Sequence, residues 1–252
     1  MIRNYILTAL RTILRQRGYS FINIFGLALG LACTLLILLW VQDEVSYDRF
    51  HENIDQLYRV VEDQYYSGAT YHVTVTPYPS GPVWAEKIPE IREAVRLQWT
   101  GGMLFRYEDK AFYEGGMRAV DSNFFQVFTF PLVEGDPETA LLEPFSMVLT
   151  EEMAEKYFGD EDPIGKSLQV NEYQFRITGL AKDVPDNSSI GFDFLVPWDF
   201  IKTIGRYTDH WGANSIQTYV RLEENVDPGP VDAKLTAVYK ENQTEGTTDF
   251  ML

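Results

Sequence analysis

Cysteine is nearly absent: Cys33 is the only one in 252 residues, and it falls inside the longest apolar run. Residues 42–252 contain none, so no disulfide can staple them and their stability must come from a hydrophobic core. Aromatic residues, at 14% of the chain, make such a core feasible. Histidine is scarce too. His51, His72 and His210 are scattered, with no HExxH or HxxEH spacing for a zinc site. There is no GxSxG nucleophile elbow, no Walker A motif and no GxGxxG phosphate loop. Asp160-Glu161-Asp162 with Gly165 imitates a calcium loop, but its fifth position would be Ile164 and its twelfth Asn171, so the spacing fails. The residues therefore single out no catalytic constellation, no metal site and no cofactor site, and the chain is not expected to be an enzyme.

Charge is unevenly missing. The first 42 residues hold no acid at all, only Arg3, Arg11, Arg15 and Arg17. Of the 21 basic residues 17 follow, against all 37 acidic ones, so that part carries a net charge of −20. Such a surface repels phosphate backbones, and nucleic acid is excluded as a partner.

What the sequence does have is one long apolar stretch, FINIFGLALGLACTLLILLWV, from Phe21 to Val41. Twenty-one residues at 1.5 Å each span about 31 Å, close to the ~30 Å hydrocarbon core of a bilayer. Thirteen of them are Leu, Ile, Phe or Val, together favouring insertion by about 4 to 8 kcal/mol. The run ends Trp40-Val41-Gln42-Asp43, without a small-residue cleavage site, so it reads as an uncleaved transmembrane helix. Arginines precede it and acids follow, which predicts a cytoplasmic N-terminus and an extracytoplasmic remainder. Within it, Gly26-x-x-x-Gly30 is a small-residue motif that permits close helix packing. Residues 1–17 read as an amphipathic helix, with Ile2, Ile6, Leu10, Ile13 and Leu14 on one face and a basic face marked by Arg11 and Arg15.

The remainder reads as mixed helix and strand, without a repeat. A helical stripe runs through Val45, Phe50, Ile54 and Leu57. Tyr58–Val61 starts a strand, Tyr71–Val75 is another, and residues 82–88 are a short helix. IREAVRLQW, MLFRYED and AFYEGG, punctuated by Gly101-Gly102 and Gly115-Gly116, predict an antiparallel meander. A short helical turn follows at Asn123–Val127, then a strand at 147–149. Thr150 caps a helix over 151–158 that Gly159 ends. In FGDEDPIGK, Phe158 is expected in the core, Gly159 at positive φ and Pro163 fixing the turn before Gly165, a structural role. Strands follow at SLQV, YQFRITGLAKDV, FDFLVP and 216–222, then a helix over Asp227–Lys240. The tail NQTEGTTDFML lacks alternation and is expected to be unstructured, which leaves one sheet edge unpaired.

Several blocks in fixed order resemble the N-terminal part of MacB-like, FtsX-like ABC transporter permeases. They are SFINIFGLALGLACTLLILLWVQDEVSYDRFHENIDQLYRV, VDSNFFQVFTFPLVEGDPETAL, VLTEEMAEKYFGDEDPIGKSLQV and ITGLAKDVPDNSSIGFDFLVPW. The resemblance covers essentially the whole chain. It implies an α+β architecture: a cytoplasmic amphipathic helix at 1–20, a transmembrane helix at 21–41 and a periplasmic core domain at 42–252. That domain would hold a porter-like βαβ subdomain (about 42–100 and 197–252) with a mixed-sheet subdomain inserted at about 101–196.

The resemblance also implies a role. A cytoplasmic ABC ATPase would drive permease helices that move the periplasmic domain, for export, efflux or lipoprotein release across a bacterial inner membrane. Partners would be that ATPase, further permease helices or a second permease copy, and a periplasmic adaptor or lipoprotein. Family members carry three more membrane helices, and nothing after Val41 is apolar enough to be one, so the chain is expected to be a truncated piece. The rival reading is a free-standing membrane-anchored binding or sensor domain, and a third an anchored hydrolase.

Overall fold

The computed structural model describes residues 2–244 and 247–252, in two units: one ends at Tyr47, and the other runs from Asp48 to Leu252. The first unit is two helices, α1 (Ile2–Arg15) and α2 (Arg17–Glu44). They meet at Gln16, whose φ of −109° and ψ of 55° leave the helical region. α2 thus begins four residues before the apolar run Phe21–Val41. Apolar composition marks where lipid-compatible residues begin, whereas the backbone stays helical through Arg17–Ser20, which contain no proline. The 28 residues of α2 measure about 42 Å, so its charged ends can lie beyond a ~30 Å apolar layer.

The second unit opens with β1 (Leu57–Arg59), β2 (Val61–Tyr66), β3 (Ala69–Val73), β4 (Thr76–Pro77), α3 (Ser80–Lys87) and β5 (Ile91–Trp99). It continues through β6 (Met103–Tyr107), β7 (Lys110–Glu114), β8 (Met117–Val120), α4 (Phe124–Val127), β9 (Leu132–Gly135), β10 (Ser146–Thr150) and α5 (Glu151–Phe158). Then come β11 (Ser167–Val170), β12 (Tyr173–Ala181), β13 (Phe194–Pro197), α6 (Asp199–Thr203), β14 (Asn214–Leu222), α7 (Gly229–Asn242) and β15 (Thr248–Met251). The large sheet has the order β1-β14-β5-β8-β13-β10-β12-β11-β6-β7, with β4 also paired to β14 and β9 to β12. The β8–β13 and β10–β12 pairs are parallel, and the remaining pairs antiparallel. A smaller antiparallel sheet is ordered β15-β2-β3.

Three expectations fail. The stripe from Val45 to Leu57 is not a helix. Residues 45–53 are turns and only Ile54–Gln56 forms a single 3-10 turn. Asp48 takes φ +58° and gives its backbone N–H to Asn187 O, so a long-range bond replaces the helical ladder. The meander fails at its first step: β6 and β7 do form an antiparallel hairpin, but β5 pairs with β14 and β8, and the other neighbour of β6 is β11. The glycines read as hairpin turns serve close approach instead. A Cβ on Gly116 would sit 1.9 Å from Asp193 Oδ2, and one on Gly102 2.3 Å from the Tyr113 ring. Finally, the tail is not unstructured. Thr248–Met251 forms β15, pairing Phe250 with Glu62 and Met251 with Val61. Phe250 is buried against Trp84 at 5.2 Å and Tyr239 at 5.0 Å, and the Trp84 indole donates to Leu235 O at 3.3 Å. Two alternating apolar positions, Phe250 and Leu252, were too few to register as a strand.

Three apolar clusters fill the unit. One lies under α3 and α7, around Trp84, Val220, Leu235 and Phe250. A second is aromatic, with Phe124, Phe128, Phe130 and Phe192 ring on ring. A third holds α5 on the sheet through Met153, Tyr157 and Phe158. The N-terminus of α5 has two caps: Thr150 Oγ1 accepts from Met153 N (3.4 Å) and Asp183 Oδ1 from Glu152 N (2.9 Å). Phe158 meets Tyr107 edge-on at 4.4 Å, and Gly159 takes φ +62°. Pro163 is buried, Asp162 Oδ1 accepts from Ile164 N at 2.8 Å, and Gly165 (φ +79°) donates to Ile177 O.

Candidate functional site at the start of the folded domain

The first residues of the second unit are fixed to its body by a set of long-range bonds. Asp48 gives its N–H to Asn187 O at 2.9 Å, and its carboxylate Oδ1 accepts from Ser189 N–H at 2.8 Å. Two turns later the chain exchanges bonds with Thr129. The Thr129 N–H donates to His51 Nδ1 at 3.1 Å, and Glu52 N–H donates to Thr129 Oγ1 at 3.0 Å. Asn53 Oδ1 accepts from Arg221 Nη2 at 3.3 Å, and Arg221 Nη1 also pairs with Glu93 at 3.2 Å. Each such bond contributes about 0.5–1.5 kcal/mol net.

His51 is the centre of this latch. Only 3% of it is exposed, and its ring lies against Phe50 (4.2 Å), Phe128 (5.4 Å) and Phe130 (5.2 Å). Because a backbone N–H occupies Nδ1, the neutral ring carries its proton on Nε2. Burial lowers the pKa below the usual histidine value, and the Asp48 charge offsets part of that. Beside the ring is a cavity of about 250 Å³ with Leu57, Ile190 and Tyr219 in its wall. From Ser189 and Ile190 the chain passes through Gly191, whose carbonyl accepts from Arg118 Nε at 3.0 Å, into β13 in the middle of the large sheet. One short loop therefore connects the residues bonded to Asp48 with the large sheet.

The residues singled out from sequence are spread over other parts of the fold. Arg11 and Arg15 are exposed on α1, one turn apart, and Tyr5, Ile6, Leu7, Ile13 and Leu14 are exposed on the same helix. Gly26 and Gly30 lie on an open stretch of α2, with nothing within 4 Å of an added Cβ. Phe158, Gly159, Pro163 and Gly165 form the turn after α5, in a different core cluster from the rings around His51. Sequence reading missed Asp48, Thr129 and Ser189, and it counted His51 only as one of three scattered histidines. The one signal was the tract of aromatic residues at 124–130, which had to enclose something. Among the described residues no group of three or more His, Cys, Asp or Glu is placed to hold a metal ion. His72 pairs with Asp63 at 2.5 Å, and His210 Nδ1 accepts from Gly212 N at 3.0 Å.

The model of the MacB-like periplasmic core domain matches residues 20–238, most of the chain. The chain belongs to the MacB-like periplasmic core domain family. No curated protein sequence matches it. Solved structures are similar to it over about four-fifths of the chain. A domain assigned to a permease protein of Porphyromonas gingivalis superposes with a TM-score of 0.69 at 23% identity, covering 80% of this chain and 89% of that one. The periplasmic region of MacB from Actinobacillus actinomycetemcomitans gives 0.58 at 16% identity, over 79% and 92%. The extracellular domain of the ABC-type transporter YknZ from Gram-positive bacteria gives 0.57 at 14%, over 78% and 100%. At these identities the likeness concerns the fold. In this chain the domain follows one helix, α2, that is long and apolar enough to cross a membrane by length and composition.

Proposed function

We propose that the chain is the membrane-anchored N-terminal part of an ABC transporter permease of the MacB/FtsX-like type. In this reading α2 crosses a bacterial inner membrane, α1 lies on the cytoplasmic face and the second unit is periplasmic. The arginine-rich start and the acidic remainder support that orientation. Arg11 and Arg15 face lipid headgroups or a partner, Gly26 and Gly30 pack against other permease helices, and the turn from Phe158 to Gly165 is structural. The domain is divided into a porter-like part and an inserted part joined by the β5–β8 pairing. A cytoplasmic ABC ATPase supplies the work, and a second permease copy and a periplasmic adaptor or lipoprotein complete the assembly.

The observation that carries this reading is the latch. Four residues after α2 ends, the chain is bonded to the Asn187–Ser189 loop, and three residues later to Thr129. Rigid side-chain and backbone bonds of this kind transmit a displacement, where a free linker would absorb it.

The test uses the tagged full chain isolated from its own membrane and reconstituted in lipid, with Cys33→Ser so that a spin label can be placed at the exposed Tyr113. An ABC ATPase should co-purify, and ATP should change the label-to-label distance between copies. Asp48→Gly with Thr129→Ala should leave ATP turnover intact and shrink that change. Glycine suits φ +58°, so the first substitution removes the carboxylate without adding strain. Absence of any ABC ATPase, or a distance change indifferent to the latch variants, would refute the proposal.

A further inference from the structure

On the other side of the Ser189–Gly191 loop from His51 is a second cavity, of about 270 Å³. Gln98 and Trp99 of β5, Arg118 of β8, and Ser215 and Gln217 of β14 line it. Arg118 is unusual in a domain with a net charge of −20. Its Nε donates to Gly191 O, but among the described residues Nη1 and Nη2 have no hydrogen-bond partner and no carboxylate at ion-pair distance. Asp193 reaches it only as a more distant charge, and partial burial lowers the guanidinium pKa. A half-buried guanidinium whose two Nη groups have no partner in the protein favours an anionic ligand.

The neighbouring groups narrow the chemistry. Gln217, in register with Leu97, shares the sheet face of Arg118 and Trp99, whereas the Gln98 amide lies on the other face and donates to the Tyr78 hydroxyl at 2.8 Å. Among the described residues the side chains of Ser215 and Gln217 have no hydrogen-bond partner. The Trp99 indole donates to Gly115 O, and 55% of the residue is exposed. One guanidinium fork matches one carboxylate. A phosphate dianion usually gathers more than one cation, and the acidic surroundings oppose it. Side-chain amides both donate and accept, which matches peptide groups.

We propose that this cleft binds the C-terminal residue of a peptide, its carboxylate on Arg118 and its amide group on Gln217, with Trp99 as an apolar wall. The site stands on these residues alone, whether or not an ATPase drives the domain.

The experiment is calorimetric titration of the full chain in lipid nanodiscs with N-acetyl-alanyl-alanine, with the C-terminal amide of the same peptide, and with sodium acetate. The free acid should bind saturably, and the amide and acetate about tenfold or more weakly. Arg118→Gln should weaken the free acid by a similar factor, and Arg118→Lys by less. Gln217→Ala, which leaves the Arg118–Gly191 bond in place, should weaken it several-fold without changing the unfolding midpoint. No saturable binding up to about 10 mM, equal binding of acid and amide, or binding that survives Arg118→Gln would overturn the site. Acetate binding as well as the peptide would overturn the peptide assignment, leaving only a carboxylate pocket.

Discussion

Glu62 is a carboxylate with no cation beside it. It lies on β2, is fully buried, and pairs in register with Val73 on one side and Phe250 on the other. Its oxygens accept from Asn214 Nδ2 at 2.8 and 3.0 Å and from the Gln64 amide, all neutral donors, and the Tyr239 hydroxyl on α7 feels its charge. Burial raises its pKa from 4.5 to about 7, against the lowering by those two amides. Because the folded value is the higher one, Glu62 contributes stability that is complete below about pH 4.5 and is lost as pH rises through 7. The rise from 4.5 to about 7, at about 1.36 kcal/mol for each pH unit, makes the loss at most roughly 3 to 4 kcal/mol by pH 8. The substitution Glu62→Gln keeps the shape and removes the titration. Unfolding of both proteins by denaturant between pH 4.5 and 8 isolates the effect, since His51 and the other shifted groups cancel in the difference. The variant should match or trail the parent at pH 4.5 and exceed it increasingly toward pH 8. Parallel stability curves over that interval would refute the reasoning, and would mean that Glu62 is ionised throughout.

Two further outcomes follow from packing and pairing. Phe158→Ala should cost about 3–5 kcal/mol of stability, and Gly159→Val should also destabilise, because φ is +62° there; thermal melts check both, and an unchanged melt with a lost partner would make the turn a binding motif. Arg96 makes three bonds to Asp121, one to Tyr78 O, and stacks 4.2 Å above Trp198, so Arg96→Met should cost about 3–5 kcal/mol and a second substitution, Asp121→Asn, should restore part of it, as read from denaturant midpoints.

Much of the fold was legible because its elements carry their own signals. The apolar run gave α2, Thr150 and Gly159 bracketed α5, and the alternation in IREAVRLQW and YQFRITGLA gave β5 and β12. What was illegible is what depends on distant partners. No local pattern tells that β5 will lie between β14 and β8, or that β8 will run parallel to β13. Glycine shows the limit well. At Gly68, beside Ser67, both residues take positive φ and the chain does turn into a hairpin between β2 and β3. At Gly116 the same residue type is required because Asp193 occupies the space of a Cβ, and the chain crosses rather than turns.

The latch was illegible for the same reason, and its composition shows why. Asp48, His51 and Thr129 belong to no motif, and none of the three would attract notice in isolation. Their meaning comes from a backbone that leaves the helical region at Asp48, since α2 continued through residue 54 would satisfy the N–H groups of Asp48 and Glu52 internally. Unwinding frees those donors to reach Asn187 O and Thr129 Oγ1. The stripe of Val45, Phe50, Ile54 and Leu57 is real, but it is spent differently. Phe50 lies edge-on against Phe130 at 5.6 Å and Leu57 packs on the same aromatic cluster. The apolar residues that would have packed one face of a helix fasten an irregular segment to the domain. A continuous helix would make one long lever with few attachments, whereas this segment has bonds to three separate stretches, at Thr129, at Asn187–Ser189 and at Arg221.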